Sequence, residues 1–143
     1  MKKKELVSNS KKETWEIAGK LLKELNNNNL IVLKGELGSG KTTFSQGVLK
    51  FLGAKGPFTS PTFVVMKKYN IEDKIYKTVY HLDCYRVGAK DILELGWKEI
   101  IENKNNLVLV EWPEKIESVL PEKYIQVELE TLGEDKRRIS YES

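Results

Sequence analysis

Gly35-Glu36-Leu37-Gly38-Ser39-Gly40-Lys41-Thr42 fits the pattern G-x-x-x-x-G-K-[ST] and stands where a strand should turn into a helix. The apolar run Leu30-Ile31-Val32-Leu33 precedes it, and residues Thr42 to Leu52 behind it have helical character. This context predicts a phosphate-binding P-loop. Glycine at positions 35, 38 and 40 lets the backbone approach a phosphate closely and adopt φ values that a Cβ would oppose. Successive N–H groups then point inward, and the positive end of the following helix adds attraction for a β-phosphate. Lys41 brings a mobile full charge to the β and γ oxygens, and the Thr42 hydroxyl is placed to ligate a bridging magnesium.

The rest of the chain narrows the class. Its 143 residues predict one domain spanning 1–143, large enough for a core and too small for a second catalytic module. There is no run of about 18 apolar residues and no signal-peptide core, so a soluble, cytoplasmic protein is expected. The net charge is +3, with lysines 2, 3, 4, 11 and 12 near one end and Lys136, Arg137 and Arg138 near the other. Twenty-four basic side chains against twenty-one acidic ones read as a solvated surface rather than a nucleic-acid footprint. Cys84 stands alone, which excludes a disulfide framework and a structural zinc cluster.

Working outward from the loop, Ser10 to Leu25 reads as a helix with Ile17, Ala18, Leu21, Leu22 and Leu25 at helical spacing and Ser10-x-x-Glu13 as a capping box. Asn26 to Asn29 break it before the strand at Leu30. Beyond the P-loop helix, Phe63 to Tyr69 and Ile75 to Leu82 are rich in β-branched and aromatic residues, which predicts an inserted β-hairpin or meander with a turn at Asn70 to Asp73. Asp91 to Asn103 reads as helix broken near Gly96, and Leu107-Val108-Leu109-Val110 as a strand buried on both faces. Tyr124 to Glu130 and Arg137 to Tyr141 alternate in polarity, giving two half-exposed strands turned at Gly133. The expected fold class is α/β, a P-loop NTPase-like three-layer arrangement around a mixed, partly parallel sheet.

Hydrolysis needs more than a phosphate cradle: a second acidic ligand at the magnesium and a group that aims water at the γ-phosphate. Glu111 closes the most apolar strand, the one expected to neighbour the P-loop strand, and Asp83 closes Tyr80-His81-Leu82 in the same manner. Ser60-Pro61-Thr62 lies in the loop after the P-loop helix, where nucleotide switches present a hydroxyl, although Ser and Pro also open ordinary turns.

These pieces in this order resemble the TsaE family, also called YjeE, small bacterial P-loop ATPases needed for threonylcarbamoyl modification of an adenosine in certain tRNAs. The similarity runs through Gly35 to Phe44, Ser60-Pro61-Thr62-Phe63, His81-Leu82-Asp83-Cys84-Tyr85-Arg86, Glu94-Leu95-Gly96 and Val110-Glu111-Trp112-Pro113. The resemblance implies ATP and Mg2+ as cofactors. It implies phosphate contacts from Gly38, Ser39, Gly40, Lys41, Thr42 and Thr43, magnesium ligation by Thr42 and Glu111, and a need for Asp83 in turnover. Thr62 should then sense the γ-phosphate and Trp112 should report nucleotide binding, while Ser8, Ser10 and Arg138 fall loosely where this family approaches the adenine. It further implies TsaD and TsaB as protein partners, the modification enzyme and its companion subunit, with tRNA reached indirectly. Glu36 replaces a usual Asp, and Cys84 stands where Leu or Val is commoner, which suits a small buried hydrophobe. His81, two residues before Asp83 and on the same strand face, is assigned a structural hydrogen-bonding role in preference to that of general base, and Arg86 a salt bridge holding its loop.

The chief alternative is a small-molecule kinase, which normally adds an acceptor pocket and an arginine-bearing lid late in the chain. A GTPase would want Asn-Lys-x-Asp after a buried strand, whereas Asn103-Lys104-Asn105-Asn106 lacks the Asp and precedes the strand. A nucleotide-controlled binding module with little turnover of its own overlaps with the main reading.

Overall fold

A computed structural model describes residues 3–58 and 65–142. In chain order the elements are β1 (Lys3–Ser8), α1 (Lys11–Leu22), β2 (Leu30–Lys34), α2 (Lys41–Phe51), β3 (Met66–Asn70), β4 (Thr78–Asp83), α3 (Ala89–Glu94), α4 (Trp97–Glu102), β5 (Asn106–Glu111), a kinked 3-10 helix (Pro113–Val119), β6 (Ile125–Thr131) and β7 (Arg137–Glu142). The strands form a seven-stranded sheet in the order β1-β7-β6-β2-β5-β4-β3. Its centre is parallel, with β2 between β5 and β6 and β4 beside β5, while β3, β7 and β1 are added antiparallel. This is the mixed sheet with an appended hairpin that the sequence predicts.

The pleat sorts each strand's side chains into two cores. Ile31, Leu33, Leu107, Leu109, Val127 and Ile139 pack against α1 and α2, whereas Leu30, Val32, Val108 and Val110 pack with Ile92, Trp97, Ile100 and Ile116 on the other face. Leu30 to Leu33 of β2 and Leu107 to Val110 of β5 are thus apolar on both faces, as strands covered on two sides must be. Phe44 is fully buried on the second turn of α2 and anchors the P-loop helix to the sheet. Phe44→Ala is expected to cost about 3–5 kcal/mol, read as a shift in urea midpoint; a loss below ~1 kcal/mol would contradict this anchoring role.

Three boundaries depart from expectation. Strand β4 begins at Thr78 rather than Ile75, because the Asp73 carboxylate accepts hydrogen bonds from the N–H of Ile75 at 2.9 Å and of Tyr76 at 3.1 Å and holds a turn there. Helix α1 ends at Leu22, although Leu25 remains in the core. Strand β1 has no counterpart in the sequence reading, where its lysines look like a solvated charge run; it pairs with β7 and forms the sheet edge. Of the strand expected at Phe63 to Tyr69, Phe63 and Val64 lie outside the described residues.

Candidate functional site

Every parallel strand ends at one edge of the sheet, the position where α/β folds take up ligands. Register pairs Leu33 with Glu111 and Glu111 with Asp83, so the P-loop and both candidate carboxylates share that edge. They meet because β2, β5 and β4 are neighbours, with Asp83 and Glu111 level on adjacent strands. Strand β1 runs parallel to β6 through its pairing with β7, so Ser8 and the start of α1 come to the same edge.

The loop itself turns through Gly38 at φ 81° and Gly40 at φ 103°, a region closed to most side chains. At Gly35 the constraint is space: an added Cβ would lie 2.6 Å from the Leu129 carbonyl oxygen. Gly40 caps α2 without a side-chain bond, and the first helical hydrogen bond runs from Phe44 N–H to Gly40 C=O at 2.8 Å. The amides of Lys41, Thr42 and Thr43 therefore lack helical acceptors and present a positive terminus.

Lys41 is buried at 5% exposure, yet among the described residues its ammonium touches only neutral groups directly. It donates to the carbonyls of Gly35 and Glu36 and lies 3.7 Å from the centre of the Trp112 ring. Burial holds its pKa below the usual lysine value, opposed by the fields of Glu111, Glu114, Asp83 and Glu36, in that order. Trp112 takes the left-handed conformation, φ 60° and ψ 53°, which is strained for an aromatic residue and brings its ring against Tyr85 at 4.9 Å between centroids.

A cavity of about 730 Å³ opens here, lined by Gly38, Gly40, Lys41, Thr42, Thr43, Asp83, Glu111 and Trp112 among the residues proposed from sequence. Ser39 is buried in the loop beneath it. Asp83 accepts a hydrogen bond from Tyr85 N–H at 3.0 Å, and Glu111 is 3% exposed with Oε2 2.6 Å from His81 Nε2. Thr62 and Ser60 lie outside the described residues. Ser10 caps α1 by accepting from Glu13 N–H at 3.1 Å, and the Glu13 carboxylate in turn accepts from Asn9 N–H at 3.2 Å rather than from Ser10 N–H. Ser8 is buried and shares hydrogen bonds with the Ser10 carbonyl and the Thr14 hydroxyl.

Two arginines behave differently from expectation. Arg138 points to the other sheet face, paired with Glu5 and Glu130 at 2.9 Å each, and does not line this cavity. Its neighbour Arg137, which the sequence reading left aside, does line it: the guanidinium donates to Gly38 C=O at 3.2 Å and to Gly133 C=O at 2.8 Å, tying the β6–β7 turn to the phosphate loop. Ile139 and Tyr141 give the signal that would have found it, since the two-residue pleat puts Arg137 on their face. Arg86 is exposed at the cavity mouth and makes no ion pair among the described residues, instead of the loop-holding salt bridge expected, because it follows β4 on the open side of the cleft.

Cys84 behaves as a core residue: it is fully buried, and burial raises its thiol pKa to about 12. The native chain is therefore expected to resist iodoacetamide at pH 8 while the unfolded chain reacts, followed by mass spectrometry; alkylation of the native chain at the rate of a free thiol would contradict it.

The donor set suits a magnesium-bound triphosphate: free amides and an ammonium on one side, and a hydroxyl with two carboxylates at strand ends on the other. A family model described as "Threonylcarbamoyl adenosine biosynthesis protein TsaE" matches residues 8–139. The tRNA threonylcarbamoyladenosine biosynthesis protein TsaE of Rickettsia felis is 38% identical over 137 residues, which cover 94% of this chain and 77% of that one. Its namesake from Treponema pallidum is 33% identical over 138 residues, 94% of this chain and 96% of that one. The crystal structure of YdiB from Bacillus subtilis aligns over 98% of this chain and 84% of its own, with a TM-score of 0.78 and 29% identity.

Proposed function

We propose that this chain, which belongs to the TsaE family, serves tRNA threonylcarbamoyladenosine biosynthesis by binding and hydrolysing Mg-ATP in the cavity around Lys41. The observation that carries the ATP reading is the uncapped start of α2 set against a buried lysine that, among the described residues, has only carbonyls and an aromatic ring to touch. In this reading the amides from Gly38 to Thr43 and the Lys41 ammonium hold the β and γ phosphates, with Ser39 shaping the loop beneath them. The Thr42 hydroxyl and the Glu111 carboxylate hold magnesium, and Asp83 orients the attacking water or the metal's water shell. Bound magnesium would offset charge developing on the γ-phosphate. Thr62 keeps its assignment as γ-phosphate sensor on sequence alone. Ser8 and Ser10 lie outside the cavity lining and keep their adenine assignment on sequence alone, whereas Arg138 would have to leave two carboxylates to reach it.

Trp112 acts as reporter in this reading, because an arriving phosphate draws the Lys41 ammonium off its ring. The partners are TsaD and TsaB, which the cycle of binding and hydrolysis resets, with tRNA reached through them and the work done in the cytoplasm. No helix among the described residues is long and apolar enough to cross a membrane. The kinase alternative gives way to the family relationship, and after Glu111 the described residues supply only a 3-10 helix and the β6–β7 hairpin, with no lid.

The deciding experiment measures ATP turnover by the purified chain alone and with TsaD and TsaB. Slow turnover alone and faster turnover with the pair is expected. Rapid phosphoryl transfer from ATP to a metabolite by the lone chain would overturn the reading.

A further inference from the structure

We propose that His81 is a positioning residue that fixes the Glu111 carboxylate for metal binding and keeps it off Lys41. The inference rests on the assignment of Glu111 to magnesium. Strands β4 and β5 run parallel with His81 opposite Leu109 and Asp83 opposite Glu111, so the imidazole and the Glu111 carboxylate project from one sheet face and meet on the diagonal. Their contact, Nε2 to Oε2 at 2.6 Å, is sealed: the two side chains are 2% and 4% exposed.

The chemistry of the pair assigns its proton. An ionised carboxylate only accepts, so the imidazole donates through Nε2. Nδ1 is buried and has no hydrogen-bond partner among the described residues, which suits a lone pair far better than an N–H. The ring is thereby locked as a one-way donor to a single carboxylate oxygen. That matters because Glu111 has a competitor for its attention. Among the surrounding carboxylates it exerts the strongest field on the Lys41 ammonium. Without the imidazole, the Glu111 carboxylate, which lines the same cavity as Lys41, would be free to turn from the metal position toward the ammonium. Groups that hydrogen-bond to a metal-ligating carboxylate set its direction, and their loss typically weakens metal binding by about 10- to 100-fold.

The test uses the full chain without a polyhistidine tag, since His81 is its one histidine. Affinity for a non-hydrolysable ATP analogue is measured by calorimetry across a magnesium titration. In His81→Leu the magnesium concentration at half-maximal tightening is expected to rise about 10- to 100-fold. His81→Gln, whose amide N–H falls near the Nε2 position, is expected to recover most of that loss. In a Glu111→Gln background, His81→Leu should add nothing further. An unchanged magnesium midpoint in His81→Leu, with Glu111→Gln shifting it, would overturn the positioning role. So would an equal shift in His81→Leu and His81→Gln that tracks a lowered melting temperature, the mark of a purely structural histidine. If Glu111→Gln itself leaves the midpoint in place, the metal assignment fails first and carries the inference down with it. Nitrogen-15 shifts of the single imidazole give a second readout: a proton on Nε2 is expected, and a neutral ring protonated on Nδ1 would overturn the proposal.

Discussion

Lys41→Ala is expected to bring nucleotide binding and ATP turnover down to background while leaving the fold in place. Among the described residues the ammonium is the one full positive charge buried at the base of the cavity, and it rests on the Gly35 and Glu36 carbonyls and the Trp112 ring. The bonds to the carbonyls stay within the P-loop, the Trp112 contact is with a ring that also packs on the core, and burial disfavours the charged form, so its removal relieves a desolvation cost. A preorganised charge aimed at a transferring phosphate is worth on the order of 100- to 1,000-fold in rate. Lys41→Arg is not expected to rescue, because a planar guanidinium does not fit a slot shaped for a compact point charge. Turnover and analogue affinity, each with a melting curve, check this; wild-type affinity in the alanine variant would remove Lys41 from the phosphate site.

Asp83→Asn is expected to separate binding from turnover. The side chain is part-exposed at the end of β4, level with Glu111, and among the described residues it accepts from the Tyr85 N–H. An amide of the same size keeps that bond through its oxygen and keeps the cavity's shape. What disappears is the negative charge that would draw water or the metal's hydration shell toward the γ-phosphate. Analogue affinity should stay within a few-fold, whereas kcat should fall about 100-fold or more, as for other single electrostatic groups aimed at a transition state. An Asp83→Asn variant with ordinary kcat would leave Thr62 or a partner-supplied group to orient the water.

What was legible beforehand was whatever a local pattern encodes. The phosphate loop, the buried strands on either side of it and the acids closing β4 and β5 are each written in fewer than ten consecutive residues. Less was visible where meaning depends on pairing across the sheet. The bond between His81 and Glu111 joins positions 30 residues apart and exists only because β4 lies beside β5 in one register. Strand β1 hides in a lysine-rich segment whose polar faces meet solvent at a sheet edge, so neither composition nor alternation announces it. Arg137 and Arg138 are chemically identical, and only the pleat of β7 sends the first to the phosphate loop and the second to Glu5 and Glu130. The left-handed Trp112 is likewise a product of the fold, since Glu-Trp-Pro favours no such conformation by itself.

The most direct measurement is a crystal structure of this chain grown with Mg2+ and a non-hydrolysable ATP analogue. The triphosphate is expected within hydrogen-bonding reach of the amides from Gly38 to Thr43, with the Lys41 ammonium moved from the Gly35 carbonyl and the Trp112 face onto phosphate oxygens. An analogue seated elsewhere on the molecule, with Lys41 still folded against Trp112, would contradict the account at its base.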